Sequence, residues 1–113
     1  MLLFEPDLLF SSRIESASSK VGLDLKVITR VNELEQALME SAPWILLVNL
    51  DASRGGGKDW AALIQGRCRV IGYYSHLDSS LAEEALADGF DMVIPRRALV
   101  RRLGEIFADI GSS

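Results

Sequence analysis

The chain has 113 residues, a mass of 12.4 kDa, a formal net charge of −4 and 49% hydrophobic residues. That is one domain's length, able to bury roughly 65% of its unfolded surface without a metal or disulfide staple. One cysteine and one histidine build neither a disulfide framework nor a zinc cluster, and the acidic balance argues against non-specific nucleic-acid binding, which needs a broad positive surface. The opening "MLLFEPDLLF" is too short for a membrane span and lacks a basic leader, so a cytoplasmic protein without membrane contact is expected.

Leu2–Phe4 predicts the first strand. Asp7 predicts the cap of a first helix in which Phe10, Ile14, Ala17 and Val21 recur at i, i+4, i+7 and i+11, with Gly22 as its stop. Leu25–Ile28 predicts a second strand. Asn32 with Glu35 makes a capping-box-like start to a second helix, with Leu34, Ala37 and Leu38 on one face and Pro43 closing the segment. Trp44–Asn49 predicts a third strand that runs on into a loop through Asp51 and the glycines 55–57. Asp59 opens a short third helix carrying Trp60, Leu63 and Ile64, and Cys68 reads as a small buried apolar residue. After a fourth strand, Val70–Tyr73, a helix from Asp78 or Ser79 turns Leu81, Ala82, Ala85 and Leu86 inward and ends at Gly89. Met92–Ile94 predicts the fifth strand, and a last helix from about Arg96 buries Leu99, Leu103, Ile106 and Ile110 in one stripe.

The strand runs carry little polar alternation, the pattern of strands covered on both faces. Strands alternating with helices of this length give right-handed crossovers and a parallel sheet. The expected fold is α/β, a three-layer, doubly wound, five-stranded parallel sheet of order 2-1-3-4-5, formed by residues 1–113 as one stand-alone domain. In such a sheet ligands sit beyond the carboxyl ends of the strands, where the order reverses. Glu5, Pro6 and Asp7 arrive there from the first strand and Asn49 to Asp51 from the third; Tyr74, Ser75 and His76 follow the fourth, and Pro95, Arg96 and Arg97 the fifth.

The succession of "LLFEPD", "PWILLVNLDASRGGG", "VIGYYSHLD" and "ALADGFDMVIPRRAL" resembles the receiver domain of bacterial two-component response regulators, over nearly the whole chain. The last stretch is similar to that family's "EAGADDYLxKP". The resemblance implies a flavodoxin-like fold and a phosphoacceptor aspartate at the end of the third strand. Aligning Pro43 with the family's usual proline places Asn49 there, and an amide is a poor nucleophile. The family's acidic pair becomes Glu5-Pro6, or Glu5 and Asp7 in a register slipped by one. The switch Thr/Ser position falls on Tyr74, with Ser75 next to it, and the family's lysine becomes Arg96. Two of three anionic ligands for a hard cation are thereby lost. The resemblance therefore implies a degenerate receiver, with no cofactor and no enzymatic activity. A weak Mg²⁺ site at Glu5, Asn49 and Asp51 remains an open reading, as do Asp51 as a displaced acceptor and Asn49 as a purely structural residue bonding the loop backbone beside Glu5 or Arg96.

Other signals fall away. "RGGGKD" lacks the first glycine and the final Ser/Thr of a phosphate loop, and His76 has no Ser/Asp pairing that the sequence could justify. "RRALVRR" is the strongest charge cluster, and the preceding helix is acidic through Glu83, Glu84 and Asp88. The family commonly pairs through its fourth helix, fifth strand and fifth helix. That resemblance implies a face built from Glu83, Glu84, Asp88, Arg97, Arg101 and Arg102, open to a protein partner or to a second copy under two-fold symmetry. The expected function is a phosphorylation-independent signalling module acting through that face. The alternative is a switch that keeps an atypical response to phosphate, a cation or a small ligand in the strand-end crevice.

Overall fold

The computed structural model describes residues 1–40, 45–53, 68–75 and 79–111. The strands are β1 (Leu2–Phe4), β2 (Lys26–Ile28), β3 (Ile45–Asn49), β4 (Arg69–Tyr74) and β5 (Met92–Pro95). The described helices are α1 (Leu8–Lys20), α2 (Val31–Glu40), α3 (Leu50–Ser53), α4 (Ser79–Ala87) and α5 (Arg96–Gly111). The sheet has the order β2-β1-β3-β4-β5, and each neighbouring pair is parallel. The expected helix with Trp60, Leu63 and Ile64 lies outside the described residues, as do Pro43, Trp44, the glycines 55–57, His76 and Asp78.

The period of two along a strand sorts the core into two layers. Leu3, Ile45, Leu47, Ile71 and Tyr73 point to one face, where Phe10 and Ile14 of α1 and Leu99, Leu103 and Ile106 of α5 cover them. Leu2, Phe4, Leu46, Val48 and Val70 point to the other, under Leu34, Ala37 and Leu38 of α2 and Leu81 and Ala85 of α4. The central strands are covered on both sides, as the apolar runs predict. The outer strands are less so: Lys26 and Pro95 are exposed at the two edges of the sheet.

Both long-range helix stops are glycine caps of one kind. At the end of α1, Gly22 has φ +75, its N–H donates to the Ser19 carbonyl at 3.1 Å, and the Leu23 N–H donates to that of Ser18 at 2.9 Å. At the end of α4, Gly89 has φ +103, with Gly89 N–H on Leu86 and Phe90 N–H on Ala85. This six-to-one and five-to-two pattern satisfies the last carbonyls and needs a left-handed residue, which glycine supplies without a Cβ clash.

The structure corrects several expectations. Helix α2 opens at Val31, and the Leu34 N–H donates to the Arg30 carbonyl; Asn32 therefore lies inside the first turn, because the short link from Ile28 leaves the cap to Arg30. Val21 caps α1 in a non-helical conformation, φ −105 and ψ 11, and so leaves the apolar stripe and stays exposed. Leu86 is exposed too, since α4 buries only the Leu81–Ala85 side against the sheet. Leu50 and Asp51 form a helical turn rather than a loop. Cys68 is half-buried against the α2–α4 core cluster instead of fully enclosed. Ile110 lies in α5, but its side chain falls outside the described residues.

Candidate functional site

The carboxyl ends of β1, β3 and β4 meet around Glu5, which is completely buried. Glu5 continues β1 by one residue, its N–H donating to the Ile28 carbonyl at 3.0 Å. By the alternation of the strand its side chain shares the face of Leu3, and with it that of Asn49 and Tyr73. Asn49 and Tyr73 are themselves register partners across β3 and β4.

Four contacts saturate the carboxylate. Asn49 Nδ2 donates to Oε1 at 2.9 Å and to Oε2 at 2.8 Å. The Tyr73 hydroxyl donates to Oε1 at 2.9 Å, and the Asp7 N–H to Oε2 at 3.0 Å. A buried carboxylate without such donors would be costly by several kcal/mol; here all the compensation comes from within the chain. Tyr73 is correspondingly fixed as a donor. Burial, foremost, and then the charge and hydrogen bond of Glu5 push its phenol far above the ordinary tyrosine range, with the Arg96 charge opposing.

Asn49 uses both ends of its amide. While Nδ2 serves Glu5, Oδ1 accepts from the Ala52 N–H at 3.1 Å and so caps the first turn of α3. An aspartate could cap that turn but would set a second anion against Glu5, and a serine could not serve both. This double duty explains an amide at the end of an otherwise apolar strand.

Beyond this buried part the crevice continues into an exposed one. Asp51, on α3, accepts from the Ser75 N–H at 2.7 Å and from the Ser75 hydroxyl at 2.9 Å, both on Oδ2. The approach of α3 to β4 that allows this depends on Gly72. A Cβ there would stand 2.8 Å from Leu50 Cδ1 and 3.0 Å from Phe90 Cδ2, too close for any side chain.

The remaining predicted site residues are dispersed. Pro6 is exposed. Asp7 caps α1, its Oδ1 accepting from the Leu9 N–H at 3.0 Å. Tyr74 points away from Glu5 and packs against the α2–α4 cluster. Arg96 stands over the Phe10 ring, 4.4 Å from guanidinium carbon to centroid, and that ring lies 5.5 Å from Tyr73; its charge is held on an aromatic face next to the network. Tyr74, Ser75, Pro95, Arg96 and Arg97 line a pocket of about 460 Å³. Sequence reasoning missed Tyr73 as a polar participant. The signal was its parity with Ile71, which aims it at the same face as Glu5.

A hard divalent cation is the group that the sequence resemblance implies at these strand ends, and the side chains do not fit one. Glu5 spends both oxygens on internal donors, the Asn49 oxygen is held by α3, and one Asp51 oxygen is held by Ser75. Among the described residues no three His, Cys, Asp or Glu side chains are grouped to hold a metal.

On the outer surface Glu83 and Glu84 are exposed on α4 and Asp88 is half-buried just after it. Arg97, Arg101 and Arg102 are exposed on α5. Arg102 pairs with Glu105 at 3.3 Å. Arg101 instead lines a groove between α1 and α5, with Arg13 and Lys20. Helices α4 and α5 lie on opposite faces of the sheet, with β5 between them at its edge.

The chain has the fold of response-regulator receiver domains. It is similar to a response regulator from Thermotoga maritima, with a TM-score of 0.80 and 16% identity over 99% of this chain and 96% of that one. A signal receiver domain from Vibrio parahaemolyticus gives a TM-score of 0.78 and 17% identity over 96% of this chain and 86% of that one. An atypical orphan response regulator, whose structure revealed a new phosphorylation-independent regulatory mechanism, gives 0.71 and 18% over 97% and 93%. No family model and no curated protein matches the chain. Among the described residues no helix is long and apolar enough to cross a membrane.

Proposed function

We propose that this chain is a degenerate receiver, a signalling module that works by protein–protein interaction without taking up a phosphoryl group. The observation that carries the reading is the internal saturation of Glu5. The carboxylate that would help hold a cation is bound by Asn49, Tyr73 and the Asp7 N–H, and the position of the acceptor is an amide that caps α3. A crevice whose polar atoms satisfy one another has little to offer a phosphodonor. The phosphorylation-independent mechanism described for one structure of the same fold is consistent with this.

The output surface in this reading is the edge formed by α4, β5 and the start of α5. Glu83, Glu84 and Asp88 stand on one side of it and Arg97 and Arg102 on the other, a charge pattern suited to a protein partner or to a second copy related by a two-fold axis. A second reading, a residual response to a small anion, is favoured by the pocket at Tyr74, Ser75, Arg96 and Arg97.

Addition of Mg²⁺ and then beryllofluoride to the isotopically labelled protein tests the reading through its amide spectrum. Resonances near Glu5, Asn49, Tyr74 and Arg96 are expected to stay in place; their concerted shift would overturn the proposal. Movement confined to Ser75, Arg96 and Arg97 on adding phosphate alone would establish the second reading.

A further inference from the structure

The two helical layers have opposite charge. Helices α2 and α4 carry five glutamates and no lysine or arginine, whereas α1 and α5 carry six lysines and arginines against three carboxylates. The sheet separates the two pairs, so among the described residues α2 and α4 present an acidic surface on one side and α1 and α5 a basic one on the other.

Among the described residues several large apolar side chains are exposed: Leu8 and Leu9 at the start of α1, Val21 at its end, Met39 on α2 and Leu86 on α4. Of these, Val21 lines a groove with a cationic rim and Leu86 stands among carboxylates. On the basic face, α1 and α5 enclose a groove of about 420 Å³ with aliphatic walls at Ala17, Val21, Val100 and Leu103. Val21 is 46% exposed. Gly104 lies at the groove beside Val21, whose Cγ1 would be 3.4 Å from a Cβ placed there, an ordinary contact. Arg13, Lys20 and Arg101 stand on its rim, and among the described residues none of the three has a carboxylate within ion-pair distance. On the acidic face, Leu86 of α4 is 54% exposed. Glu83, one turn earlier, lies on the same side of the helix, with Glu84 beside it.

We infer that this chain associates with itself head to tail, Leu86 of one copy entering the α1–α5 groove of the next while Glu83 and Glu84 meet Arg13, Lys20 and Arg101. The contact covers Leu86 and Val21, two of the exposed aliphatic side chains, and pairs rim cations with carboxylates that are otherwise solvated. Knob and groove lie on opposite faces of one molecule, so the contact is heterologous: it leaves a free knob at one end and a free groove at the other, and it extends or closes as a ring rather than stopping at two. It goes beyond the edge surface proposed above, with which it shares the carboxylates of α4, while on α5 it uses Val100, Arg101 and Leu103 rather than Arg97 and Arg102. A net charge of −4 opposes close approach of copies, so the association is weak and sensitive to salt.

Sedimentation velocity and light scattering of the full chain across a concentration series test it, with amide spectra confirming the fold of each variant. The wild type should gain mass with concentration. Leu86→Glu, which loses the knob, and Arg13→Glu combined with Lys20→Glu, which loses the groove, should each remain monomeric. Mixed in equal amounts they should form a dimer and go no further, because one intact knob and one intact groove remain between them. A wild type that stays monomeric, or a mixture that does not dimerise, overturns the inference. Arg97→Gln with Arg102→Gln, compared with the wild type at an ionic strength that screens the added net charge, should leave the association in place. Its loss in that variant would assign self-association to the edge surface, sinking the groove contact while supporting the proposed function.

Discussion

The strand-end crevice has two halves built from the same kinds of group in different surroundings. Glu5 and Asp51 are both carboxylates that accept hydrogen bonds from the end of β4, Glu5 from the Tyr73 hydroxyl and Asp51 from the N–H and hydroxyl of Ser75. Glu5 is fully enclosed, whereas Asp51 is half-buried and its partner Ser75 is exposed. In the enclosed half each donor is indispensable, because water cannot replace it. In the open half water competes for every bond, and the same geometry contributes much less. Burial, rather than the number of hydrogen bonds, decides which half fixes the structure.

The comparison can be broken most severely at Glu5. Glu5→Ala orphans the Tyr73 hydroxyl and the Asn49 amide together and should lower stability by ~3 kcal/mol in urea unfolding. A loss below about 1 kcal/mol would show that water enters and that the enclosed half is not enclosed. Next comes Asn49→Asp, which sets two carboxyls within hydrogen-bond distance. Like-charge repulsion holds one of the two carboxyls protonated more readily than an isolated one, and the variant should lose about 2 kcal/mol at neutral pH. The sign follows from linkage: a raised folded-state pKa makes the proton part of the stability, so the deficit should close as the pH falls and the pair comes to share one proton. A deficit independent of pH would place the two groups apart.

A sharper and smaller test is Tyr73→Phe, which removes one donor and keeps the ring packing; about 1.5 kcal/mol should be lost. In the wild type the phenol, held above its ordinary range, contributes stability fully present below about pH 10 and lost as pH rises further. Ultraviolet titration should show this tyrosine ionising only as the protein unfolds, and early ionisation would contradict its enclosure. The smallest effect belongs to the open half. Asp51→Ala should cost about 0.5–1 kcal/mol and speed amide exchange at Ser75, with the Glu5 network unmoved. An effect as large as that of Glu5→Ala would erase the distinction between the halves.

How far the sequence reveals all this depends on the range of the interactions. The apolar runs and the stops at Gly22 and Gly89 are local signals, and they place strands, order and helix ends correctly. The four residues of α3 are too few for a period to show. Leu86 and Val21 look inward on periodicity because a helical pattern does not tell how wide a strip the sheet will cover. Glu5, Asn49 and Arg96 can be singled out by their position at strand ends, whereas Tyr73 cannot. A tyrosine in an apolar strand reads as core, and the partner of its hydroxyl is 68 residues away in the chain.

That separation bears on how the molecule unfolds. The Tyr73 bond to Glu5 spans 68 residues and those of Asn49 span 44, so they close only when β1, β3 and β4 already lie side by side. Contacts completed after the transition state act on the escape rate from the native basin and leave the rate of reaching it almost untouched. In a chevron analysis of Tyr73→Phe the unfolding limb should rise while the folding limb stays in place. On that account the buried bonds around Glu5 act as a latch on the native state, prolonging its lifetime without hastening its formation.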